Sequence, residues 1–124
     1  MGDNSGWPWP ESLDAVVAAP EHHAVLLENE RVRVLEARVE RNDIVPVHTH
    51  RWPGVQYILS FADFVRRDTA GEVLIDSRGM DMSRENPLVL WSAPIPPHTL
   101  ENVGDRVIHA IVIELKDSPA EHKH

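Results

Sequence analysis

Val45-Pro46-Val47-His48-Thr49-His50 decides how this chain is read, and Pro96-Pro97-His98-Thr99-Leu100-Glu101-Asn102 answers it about fifty residues later. Side chains alternate faces along a strand, so His48 and His50 project from one side and Thr49 from the other. Two neutral imidazoles placed together are a common start to a divalent metal site. Pairs of this spacing also arise by chance on protein surfaces. A third histidine, His98, in a strand-rich setting raises the pair to the expectation of three histidines converging on one metal ion.

Outward from that motif the pattern is strand, turn, strand. Ala24 to Leu27 leads through the turn Glu28-Asn29-Glu30 to Val32–Val39, and further strands are expected over Ile44–His50, Val55–Arg66, Glu72–Ile75, Leu88–Ser92 and Val107–Leu115. Gly, Asn, Asp and Pro punctuate them. This spacing predicts an all-β antiparallel sandwich or barrel; helical periodicity is weak except for a turn within Glu11–Ala18, which disfavours all-α and doubly wound folds. Residues 1–20 form an N-terminal arm, 21–118 the domain and 119–124 a tail. Two Trp-Pro pairs in the arm, Trp7-Pro8 and Trp9-Pro10, are expected to pack on the domain itself or on a second subunit.

The chain has 124 residues, enough for one domain with a substantial core. It has no cysteine, which excludes disulfides, thiolate metal sites and cysteine nucleophiles, so any metal takes nitrogen or oxygen ligands. The formal charge of −8, from 12 Lys and Arg against 20 Asp and Glu, offers no basic stripe for a phosphate backbone, so a nucleic-acid partner is not expected. No apolar run approaches the roughly 20 residues that span a bilayer, and no membrane partner is expected. Met1 to Pro10 carries no signal-like run, and Gly2 lacks the Ser or Thr that myristoylation requires. A cytoplasmic location is the resulting expectation.

The short strands, the His-x-His pair at a strand end and the Pro-rich turn leading into His98-Thr99-Leu100-Glu101-Asn102 together resemble the cupin superfamily, over roughly Val25 to Leu115. The resemblance implies a jelly-roll β-barrel, the RmlC-like double-stranded β-helix, with two histidines, a glutamate and a third histidine on its inner wall. His48, His50 and His98 match the histidine positions and Asn102 the asparagine closing the second motif. The run Phe64-Val65-Arg66-Arg67-Asp68 resembles that of short single-domain bacterial cupins of unassigned function. Three departures stand out. The glutamate would fall near Gly54 or Val55, leaving Gln56 as the nearest polar candidate ligand; Phe61 and Ala62 replace the usual glycine after that strand; and Pro96 stands where glycine is frequent.

A carboxylate-free set of three histidines leaves a divalent ion its full charge and open positions for water, substrate or dioxygen. Similar cupins include thiol and diketone dioxygenases with ferrous iron; zinc, nickel or manganese also accept these ligands. The resemblance therefore implies a metal-binding protein, in one reading a non-haem dioxygenase of a small acidic or dicarbonyl molecule. Two alternatives are a non-catalytic small-molecule-binding module and a metal-dependent isomerase or lyase. The last needs a base near the metal, and His109, Glu101 and Tyr57 are the catalytic candidates. His109 alternates with Val107 and Ile111, and faces the site only if they do. Glu101 is expected in a loop. Arg66, Arg67 and Arg78 could receive a substrate carboxylate, yet the surrounding Asp68 and Asp76 make them read as ordinary solvated pairs, and His22, His23, His122 and His124 read as solvated ends. A homodimer is expected.

Overall fold

The computed structural model describes residues 7–80 and 88–116. The tail histidines His122 and His124 lie outside these described residues. Nine strands form two antiparallel sheets: β1 (His23–Glu28), β2 (Val32–Val39), β3 (Ile44–His48), β4 (Gly54–Ser60), β5 (Phe64–Asp68), β6 (Val73–Asp76), β7 (Leu88–Ser92), β8 (His98–Asn102) and β9 (Ile108–Leu115). One sheet has the order β1-β2-β9-β4-β7 and the other β3-β8-β5-β6. The all-β jelly-roll expectation holds, as two facing sheets whose named strands are not hydrogen-bonded into a closed barrel.

The centre of the larger sheet is set by two strands of matching alternation. β2 and β9 pair without a break from Val32 against Leu115 to Val39 against Ile108. Leu35, Val39, Ala110 and Val112 are buried on the inner face, where covering a side chain of Leu size stabilises by roughly 1.5–3 kcal/mol. The same face carries two charges, Arg33 and Glu114, which are register partners and are 4 % and 1 % exposed. Asn29 closes the β1–β2 turn, its side-chain oxygen accepting from the backbone N–H groups of Arg31 and Val32.

Two strand expectations need correction. The continuous strand Val55–Arg66 is two strands in different sheets, because Phe61 and Ala62 both turn inward and bury, and Val103 N–H binds the Asp63 carbonyl to hold the crossing. Gly104 lies so close to this crossing that an added Cβ would come within 2.7 Å of the Asp63 nitrogen. The second correction is β8. His98–Asn102 is not a loop but a strand paired on both sides, with β3 and β5.

The N-terminal segment is stitched to the body. A 3₁₀ turn (Glu11–Leu13) and one turn of helix, α1 (Ala15–Ala18), occupy the predicted helical stretch. Thr49 N–H donates to the Leu13 carbonyl and Ala15 N–H to the Thr49 carbonyl, while Ala15 and Ala19 are fully covered. Trp7 resolves one of the arm's alternatives by packing on its own domain, with the Arg51 guanidinium 4.9 Å from its ring centre. No helix among the described residues is long and apolar enough to cross a membrane.

Candidate metal centre

His48 ends β3 and stands directly opposite His98, the first residue of β8, with their ring centroids 4.6 Å apart. His50 follows His48 by two residues, its centroid 5.4 Å away. The fourth ring at this cluster is His23, which opens β1 and lies 5.1 Å from His48 and 5.5 Å from His50. His23, His48 and His50 bring one ligand atom each within 4.8 Å of one another, a spacing that could hold a metal ion. The reading of His23 as a solvated end is therefore corrected: it is 9 % exposed. Its neighbour His22 is also mostly covered, with Nε2 2.9 Å from the Asp43 carboxylate.

All four rings are oriented by the same nitrogen. Nδ1 of His23 donates to the Ala19 carbonyl at 3.1 Å, that of His48 to Pro46 at 2.8 Å and that of His98 to Pro96 at 2.9 Å. A carbonyl can only accept, so Nδ1 carries the proton and Nε2 keeps its lone pair. The Pro-x-His spacing is thus used twice, at Pro46–His48 and Pro96–His98. His50 uses a carboxylate instead, its Nδ1 lying 2.7 Å from Glu114 Oε2. Partners of this kind fix the tautomer of metal-binding histidines and raise their basicity.

Glu114 is itself held. Its other oxygen accepts from Arg33 Nε at 2.6 Å, and Arg33 forks onto Asp14 at 2.8 and 3.1 Å. Burial opposes the Arg33 charge, but the hydrogen bonds to Asp14 and Glu114 outweigh it and hold its pKa above the usual range. The Asp14–Arg33–Glu114–His50 chain escapes a motif search, although charges at inward positions of apolar strands were a usable signal. Burial, then neighbouring imidazoles, lowers His48 to about 2 and His23 to about 4. His98 is also lowered to about 4, by burial first, with the Arg66 charge adding to it. These rings stay neutral at pH 7, as metal ligands must.

The histidines line a cavity of about 370 Å³ between the sheets, whose other walls include Ile58, Phe61, Phe64, Leu90 and Ile95. Gln56 lines it too, its amide nitrogen 3.2 Å from Ser92 Oγ. Position 54 has no room for a carboxylate side chain, because even a Cβ there would collide with the Ile113 carbonyl oxygen. The three candidate bases are not among the cavity-lining residues. His109 binds Glu36 at 2.7 Å, Glu101 lies in β8 and pairs with Arg67 at 2.9 Å, and Tyr57 is 39 % exposed. Arg66 is the reverse correction. Read as solvated, it lines the cavity, whereas Arg78 pairs with Asp76 at the surface.

No protein-family model matches this sequence, and no curated protein matches it. Solved structures do resemble it. A cupin domain from Bordetella pertussis Tohama I is 21 % identical with a TM-score of 0.60, covering 77 % of this chain and 92 % of its own. An RmlC-like cupin with a double-stranded β-helix fold from Methanocaldococcus jannaschii is 12 % identical at 0.53, covering 82 % and 84 %. The polyketide cyclase RemF from Streptomyces resistomycificus is 17 % identical at 0.50, covering 78 % and 66 %. At these identities the likeness establishes the cupin fold.

Proposed function

We propose that this chain is a metal-dependent cupin enzyme whose divalent ion is held by His48 and His50 with His23 and His98 beside them, and that it acts on a small acidic or dicarbonyl molecule as a non-haem dioxygenase. The observation that carries the reading is the common orientation of the four rings, each with Nδ1 on an acceptor and Nε2 left as a lone pair. The donor set suits a divalent ion, and a ferrous ion bound there would supply a Lewis-acidic, redox-active centre. The chain's own residues orient the ligands through Pro46, Pro96, Ala19 and Glu114, and exclude water with the apolar walls of Phe61, Phe64 and Leu90. Dioxygen chemistry needs no protein base. The isomerase or lyase reading does, and its three candidates lie off the cavity lining.

The test is elemental analysis of protein purified without an affinity tag and with residues 119–124 removed, beside a His48→Ala/His50→Ala control. Stoichiometric metal lost in the control supports the site, and oxygen uptake by the iron-loaded protein with thiols, diketones or phenolics supports the reaction. Absence of metal from both proteins after reloading would overturn the proposal. A non-catalytic binding module is the second reading, favoured by the absence of His109, Glu101 and Tyr57 from the cavity lining. Ligand stabilisation that survives metal removal and His98→Ala would select it.

A further inference from the structure

Among the described residues Arg33 is buried and Arg66 is partly buried, and their surroundings differ. Arg33 is enclosed by two carboxylates that take three hydrogen bonds from it. Arg66 sits on β5 between its register partners Leu100 and Ile75, and it lines the cavity. Its Nε is wholly covered and has no hydrogen-bond partner. Among the described residues no carboxylate pairs with its guanidinium; its neighbour is the Phe64 ring, 5.5 Å from Cζ. Burial draws its pKa down with nothing to restore it, yet a guanidinium stays protonated at any physiological pH. A covered donor of a charged group left without a partner is unfavourable, and an aromatic face offsets only part of that.

The surrounding walls are apolar apart from the histidines, Gln56, Ser92 and Arg66 itself. We propose that Arg66 receives the anionic group of the cavity's ligand, so that the site takes an amphipathic organic anion with its carboxylate on the guanidinium and its apolar body against Phe64, Ile75 and Leu90. The planar fork of arginine matches a carboxylate through two parallel hydrogen bonds. The Arg66 charge also reaches His98, behind burial, in keeping that ring neutral, which puts the bound anion within electrostatic reach of the metal centre. This names the substrate class of the site proposed above, yet it stands on the cavity and the unpaired charge and holds with or without a metal.

The experiment compares 3-phenylpropanoate with 3-phenylpropanamide, matched in shape and differing in charge, by calorimetric titration of the full chain in zinc-loaded and metal-free forms. The native protein is expected to prefer the carboxylate by roughly tenfold or more, the strength of charge-assisted hydrogen bonding. Arg66→Met should bring the two probes to parity and raise the melting temperature, since it removes a partly buried charge with a covered, unpartnered donor, while Arg66→Lys should keep part of the preference. Equal binding of the probes, binding of neither, or an undiminished preference in Arg66→Met would overturn the proposal. Zinc titration of the same samples reads the metal site separately, so failure of one reading is distinguishable from failure of the other.

Discussion

Glu114→Gln isolates the contact between the buried ion-pair network and the metal centre. The carboxylate is 1 % exposed and accepts from both Arg33 Nε and His50 Nδ1, at 2.6 and 2.7 Å. A glutamine has one accepting oxygen. The charged Arg33 donor takes it, so the amide N–H groups face His50 Nδ1 and turn that nitrogen into an acceptor. The ring proton then moves to Nε2 and occupies the lone pair meant for a metal. Loss of such an orienting partner weakens metal affinity about 10- to 100-fold, equivalent to about 1.4 to 2.7 kcal/mol. Stability should fall as well, by about 3 kcal/mol, the lower end for a broken buried pair because Asp14 still holds Arg33. Competition titration of zinc against a chromophoric chelator reads the affinity, and ring-nitrogen NMR reads the His50 tautomer. Unchanged affinity with Nδ1 of His50 still protonated would refute the reasoning.

Acid should destabilise the metal-free protein early. His23, His48 and His98 have folded pKa values below the 6.5 of a free imidazole, so below about pH 6.5 the unfolded chain takes up protons that the folded chain refuses. Stability is then lost with falling pH at up to about 1.4 kcal/mol per unit per histidine, levelling for His23 and His98 near pH 4; a denaturation midpoint flat from pH 7 to 5 would contradict this. Gly54→Ala should cost more than 3 kcal/mol or prevent folding, because its Cβ would meet the Ile113 backbone, and a near-native melting temperature would count against the β4–β9 packing. The expected homodimer is proposed to form through the outer face of β4 and β7, where Tyr57 and Val89 are register partners and Val89 and Trp91 are 59 % and 62 % exposed. Light scattering should give a dimer mass for the native chain and a monomer mass for Val89→Lys; equal masses would exclude that face.

The double-sheet architecture was legible because its longer strands, β2 and β9, alternate cleanly. His48, His50 and His98 could be picked out for a related reason, since each belongs to a short local pattern. β8 was not legible: Thr99-Leu100-Glu101 carries a single large apolar residue, and its strand character comes from pairing on both edges. His23 was hidden beside His22 near the end of a proline-bounded segment, and only the register shows that it stands opposite the small Ala37. Arg66 was misread through sequence neighbours. Asp76 spends its carboxylate on Arg78, and alternation turns Arg66 inward, which only the register with Leu100 and Ile75 reveals.

Thr49, the residue between His48 and His50, exchanges both of its backbone hydrogen bonds with the arm, at Leu13 and Ala15. Asp14 lies between those two and anchors Arg33, and through it Glu114 and His50. This chain of contacts predicts that docking of the arm and occupancy of the site are coupled. Whatever free energy the arm lends to metal binding, the metal returns to the arm in equal measure. A loaded site should therefore slow hydrogen exchange at the Ala15 amide, and a shortened arm should release the ion more readily. Residues 7–20 are expected to act as a latch whose hold can be measured from either end.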